Sequence, residues 1–287
     1  MPDTKETLRA YYRSALERCL EVFGQLDAED WQQAAKPDGW TARDYLGHLV
    51  TSQEMEGTPA SVQSLAGQPV EIPGLTQPDD IAAFNARNLE TVRDLSPQEL
   101  MARLRSAVEE HLRLLDGVSE EDLQRPATNP GLRWPITVQT TFDMYCLHLP
   151  LHYQDIRHCI RKRRRIPHWA ELASPEEIHD SMDRTFRLMP LMYWSERGGG
   201  LQATYLFDLQ GPGGGQWTLE IADRRATTHP GRPERADIEI RTTPAFWIDL
   251  QTKAANPLVA LLTRRLRLKP LRRAGLVARL ERLFEIT

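Results

Sequence analysis

Cysteine is scarce in this chain: three residues in 287, Cys19, Cys146 and Cys159. An odd number with no Cys-x-x-Cys spacing argues against a disulfide framework and against a thiolate zinc knuckle. A metal site would have to be built from histidine and carboxylate. Long apolar runs are missing as well. Mean hydropathy is -0.50, and no segment approaches the roughly 20 consecutive apolar residues of a bilayer-spanning helix. The N-terminus, MPDTKETLRAYYRSAL, has no continuous apolar stretch of the kind a secretory signal needs, so a cytoplasmic protein is expected. Zinc-finger, RNP-type and basic-zipper patterns are also missing, and nucleic acid is not an expected partner.

What the chain does have is an uneven charge. Residues 1–150 carry 13 basic and 24 acidic side chains, whereas residues 151–287 carry 23 and 16. The halves are therefore net -11 and +7, a split that suggests two modules with different surfaces. At roughly 150 residues per domain the length also suggests two. The division is expected between residues 168 and 169, where Pro167 and the basic run Arg161–Arg165 interrupt the apolar spacing.

The first module reads as helix after helix. Leu8, Tyr11, Tyr12, Ala15, Cys19, Val22 and Phe23 recur at three- and four-residue steps. Thr41 and Asp44 fit a capping pattern that opens a second helix, whose inward stripe is Tyr45, His48, Leu49 and Ser52. Residues 58–80, with Pro59, Pro69, Pro73 and Pro78, read as a long loop or lid. Helical spacing returns over 81–118, broken at Ser96-Pro97, and a last long helix covers about 136–163. Four amphipathic helices predict a four-helix bundle. The second module mixes types. Strand-like runs at 201–210, 216–222, 236–241 and 266–268, interleaved with helices near 175–192, 243–255, 257–262 and 271–284, predict an α+β domain.

His148 and His152 are four apart, so a continuous helix presents both on one face, with β-carbons about 6 Å apart. This is the spacing by which one helix offers two imidazoles to a metal. His48, on the inward face of the second helix, could add a third nitrogen and leave a position open. Asp155, three residues after His152, is placed to orient a ligand ring. The alternative is that each histidine is a satisfied core or surface residue. Pro150 predicts a kink between the pair. His111, His158, His168, His179 and His229 share no spacing and read as surface residues. The Arg161–Arg165 run is expected to answer the dipole of the helix end, and the cations between Arg264 and Arg273 to meet the acidic first module.

Two segments resemble known families. Gly39-Trp40-Thr41, Asp44 and His48-Leu49 are similar to the GWT-x-x-D-x-x-x-H-L signature of the DinB-like, mycothiol-dependent maleylpyruvate isomerase superfamily. His148, His152, Asp155, Ile156 and Arg157 resemble its later motif, with histidine at His148 where the isomerase branch commonly has glutamate. Over residues 5–165 the resemblance implies a four-helix bundle holding a divalent metal, zinc or nickel foremost, through His48, His148 and His152. It further implies a thiol-dependent isomerase or S-transferase that uses mycothiol, bacillithiol or glutathione on an electrophilic substrate. Asp155 and Arg157 would then be catalytic, and Arg43 would bind the cofactor. The stretch from Ala236 to Ile240, Phe246 to Leu250, Asn256-Pro257-Leu258 and the basic C-terminus resemble the sterol carrier protein 2 domain, a five-stranded sheet around an apolar tunnel. This leaves a second reading open, a non-catalytic carrier of an apolar ligand.

Overall fold

The computed structural model describes residues 5–35 and 39–284. It divides into two compact units, Met1–Pro167 and His168–Thr287. Helices supply the first unit: α1 (Lys5–Phe23), α2 (Ala42–Ser52), α3 (Ile81–Glu90), α4 (Pro97–Asp116) and α5 (Val138–Ile160). Each of α1 and α2 packs against both α4 and α5, which makes a four-cornered bundle with α3 set against α2. The apolar stripe of α1 is buried from Leu8 to Phe23. Helix starts follow their caps. Thr41 Oγ1 accepts from the Asp44 amide at 3.2 Å while Asp44 takes the Thr41 amide at 2.8 Å, and Ser96 and Glu99 do the same ahead of α4.

The expected loop over 58–80 is corrected in its first part; residues 66–77 are loop. The chain leaves α2 through a π-turn, Gln53–Gly57, and continues as helix over Thr58–Leu65. Proline inside a helix lacks its N-H and crowds the carbonyl four residues earlier. The π-turn, in which the Thr58 amide reaches back to the Gln53 carbonyl, resets the ladder so that Pro59 stands in a first turn, where no donor is lost. The rest is no lid. Val70, Ile72 and Leu75 are buried with Ala60 and Phe84 in a small apolar cluster. At the far end of α5, Arg163 bonds Asp27, Glu29 and Asp30, and Arg164 bonds Asp27 and Asp30. The basic run is thus tied by carboxylates and not by the helix dipole alone.

The second unit carries α6 (Pro175–Leu188), β1 (Ala203–Leu209), β2 (Gly215–Ala222), β3 (Arg225–Pro230), β4 (Ile238–Thr242), α7 (Pro244–Gln251), α8 (Pro257–Leu262), β5 (Arg267–Lys269) and α9 (Ala274–Leu283). The sheet runs β3-β2-β1-β4-β5, antiparallel except for β1 and β4. Residue spacing had indicated four strands, and β3 is the addition. It is an edge strand with mostly exposed side chains, so it lacks the inward apolar alternation that betrays a strand. Its turn, Asp223-Arg224, has both residues at positive φ, 50° and 62°, the geometry of a tight two-residue hairpin without its customary glycine. Phe186, Phe207, Trp217 and Trp247, from α6, the sheet and α7, pack on one another with ring centroids 4.8–5.9 Å apart.

Candidate metal centre

Helices α2 and α5 are direct neighbours. The Thr41 cap fixes where α2 begins, and His48 follows two turns later on its buried face. His148 and His152 stand on successive turns of α5, which remains helical through Pro150. The three rings meet, with centroids 4.5 Å apart for His148 and His152, 4.8 Å for His48 and His152, and 5.0 Å for His48 and His148. One nitrogen from each lies within 4.8 Å of the others. Two elements far apart in sequence therefore converge three imidazoles on one point.

The surroundings orient these rings. Asp155, itself buried, accepts a hydrogen bond from His152 Nδ1 at 2.8 Å, which leaves the Nε2 lone pair available. Ser52 Oγ lies 3.1 Å from His48 Nδ1. Trp40 packs on His48 at 5.2 Å, Tyr45 stacks on His152 at 5.6 Å, and Tyr145 meets His148 edge-on at 5.9 Å. Burial holds His48 well below the ordinary imidazole range, with further lowering from the charges of His152 and then His148. Burial, and then His152, does the same to His148. At neutral pH both rings are uncharged and can donate lone pairs.

Near Tyr145, the ring that meets His148 edge-on, lies a carboxyl group that residue spacing does not single out. Glu56 sits in the π-turn; burial raises its carboxyl pKa, and the neighbouring Tyr145 and Asn129 side chains act against that rise. The π-turn hid it, because the extra residue breaks the three-and-four rhythm by which inward positions of α2 are recognised. Other expected residues are engaged elsewhere. Arg43 Nη2 donates to the carbonyls of Val92, Arg93 and Leu95, at 2.8, 2.5 and 2.7 Å, so its guanidinium closes the chain after α3. Arg157 Nε donates to the Ile166 carbonyl at 3.3 Å.

The remaining histidines need correction. His111 is fully buried, and His158 and His168 are also buried; only His179 and His229 are exposed. His111 Nε2 lies 2.7 Å from Ser61 Oγ, which in turn meets Thr141 Oγ1 at 2.9 Å. His168 Nε2 lies 3.2 Å from Asp249. His111 and His168 thus have polar partners from distant parts of the sequence, the ordinary means of keeping a buried imidazole.

In comparison with solved structures, the chain is similar to mycothiol-dependent maleylpyruvate isomerase, at 12% identity and a TM-score of 0.56, over 86% of this chain and 88% of that one. A histidine-to-alanine mutant of that enzyme matches at 13% identity and a TM-score of 0.55, with the same coverage. At such identities the likeness is one of fold. No curated protein matches the sequence. The model of the SCP-2 sterol transfer family matches residues 195–270, which hold the sheet. The model of the DinB superfamily matches residues 11–156, just over half of the chain and the whole of the histidine site, and the chain belongs to the DinB superfamily.

Proposed function

We propose that the protein is a divalent-metal-dependent enzyme acting on a low-molecular-weight thiol or a thiol adduct, as an isomerase or S-transferase. The observation that carries this reading is the convergence of His48, His148 and His152, with one nitrogen of each within 4.8 Å of the others. The donor set fits a borderline cation such as zinc or nickel, since neutral imidazole suits both. When bound, the ion supplies Lewis acidity that lowers the pKa of a thiol or water and yields a nucleophile at neutral pH. Three neutral ligands leave its double charge uncompensated, which favours an anionic fourth ligand. A thiolate from mycothiol, bacillithiol or glutathione meets that need, and the similarity in fold to a mycothiol-dependent isomerase agrees with it.

The chain's own residues have separable tasks. Asp155 is a positioning residue: its carboxylate holds the proton on His152 Nδ1 and turns Nε2 inward. Trp40, Tyr45 and Tyr145 wall the histidines and limit how they rotate. Replacing Asp155 with asparagine keeps the size and removes the charge; it is expected to weaken zinc binding about 10- to 100-fold, measured by competition with a chromophoric chelator. Unchanged affinity would remove Asp155 from the site.

The carrier reading needs space over the sheet of the second unit, where the rings of Phe186, Phe207, Trp217 and Trp247 pack on one another. The thiol reading is tested by loading the protein with cobalt and adding each thiol in turn. A new near-ultraviolet sulfur-to-cobalt band with one of them is expected. If no thiol alters the cobalt spectrum while the metal stays bound, the metal site stands and the thiol chemistry does not.

A further inference from the structure

Five large apolar side chains are strongly exposed among the described residues, and four of them fall in one short stretch of the second unit: Leu258, Val259, Leu262 and Leu271. Leu262 is 85% exposed and Leu258 70%. They stand four apart on α8, so they share a face, and Val259 adjoins it. Immediately after that helix the charge becomes one-sided. Residues 257–273 contain six basic side chains and no acidic one, and all six are exposed. Arg273 pairs with Asp237 and Arg265 lies over the Phe246 ring at 4.0 Å. Arg264, Arg267, Lys269 and Arg272 complete the set.

We propose that this surface, α8 with the β5 edge that follows it, docks on an anionic lipid bilayer. Exposed leucine and valine without water-excluding neighbours lose free energy by entering the boundary between headgroups and acyl chains, and adjacent cations meet lipid phosphates. Protein interfaces favour aromatic side chains and methionine and deplete lysine; here the apolar groups are aliphatic and the charges, Lys269 among them, have one sign. An acidic protein face would answer the cations but gives no reason for Leu262 to be almost wholly exposed beside them. The same stretch explains why β5, an open sheet edge, is safe in solution: lysine and arginine on an edge discourage pairing with another strand.

The test uses the full chain and co-sedimentation with vesicles of phosphatidylcholine alone or mixed two to one with phosphatidylglycerol. Binding is expected only to the mixed vesicles, and it weakens as salt rises from about 0.1 M to about 0.5 M. Leu262→Ser is expected to lower the partition coefficient about tenfold, and Arg267→Ser about fivefold. Both sites are exposed, and circular dichroism checks that each variant is folded. Failure to bind phosphatidylglycerol vesicles at low salt overturns the proposal. So does binding that Leu262→Ser leaves unchanged, or sedimentation showing that Leu262→Ser instead breaks up an assembly of copies of the chain.

Discussion

Lowering the pH from 7 to 5 is expected to destabilise the metal-free first unit by about 2 kcal/mol through His111 alone. That ring is fully buried, stacks on Phe142 at 4.5 Å and bonds Ser61. Burial lowers its pKa from 6.5 to about 3. Between those two values the unfolded chain binds a proton that the folded chain refuses, so stability falls as pH falls. The loss begins near 6.5, amounts to about 1.4 kcal/mol per pH unit, and ends near the folded value. His48 and His148 are shifted in the same direction and add to it. Urea titrations of chelator-treated protein at the two pH values measure the difference. His111→Gln is expected to shrink it, and equal midpoints at pH 7 and 5 would show that these rings accept protons without unfolding.

Gly57→Ala is expected to destabilise the protein although it replaces glycine in a helical conformation. Helix propensity alone predicts a gain of up to about 1 kcal/mol. Against it, a β-carbon at Gly57 would lie 2.9 Å from Cδ1 and Cδ2 of Tyr145 and from Nε2 of Gln53. Neither neighbour can easily retreat. Tyr145 is buried between His111 and His148, and the Gln53 side chain is hydrogen-bonded to the Tyr12 hydroxyl. Overpacking of this kind costs about 1–3 kcal/mol, so the clash outweighs the propensity. Because Tyr145 abuts His148, metal affinity should fall with stability. A stabilised Gly57→Ala with unchanged zinc affinity would mean that the π-turn does not brace the histidine site.

These two sites mark where residue spacing stops being informative. The Thr41-Asp44 and Ser96-Glu99 caps are local interactions three residues apart, so they are legible before any fold is known, and both occur. The i, i+4 pair on α5 is legible for the same reason, and Asp155 reaches His152 as its spacing requires. That His48 faces this pair depends on which helices are neighbours in the bundle, and the resemblance of the two motifs to one superfamily supplied it. Pro59 misled because proline marks breaks in most contexts, and only the preceding π-turn lets helix pass it. His111 misled because its partners, Ser61 and Tyr12, are 50 and 99 residues away, and no local pattern points to them. The strand Arg225–Pro230 is fixed by its hairpin partner, not by its own side chains.

The central claim, that His48, His148 and His152 hold one divalent ion, is tested most directly by elemental mass spectrometry. Protein purified without a histidine tag is compared with His152→Ala, and circular dichroism verifies that both are folded. The expected result is close to one zinc or nickel per chain in the wild type and its loss in the variant. Wild-type protein that stays metal-free after incubation with zinc and with nickel would contradict the claim and leave the three histidines as packing in the bundle core.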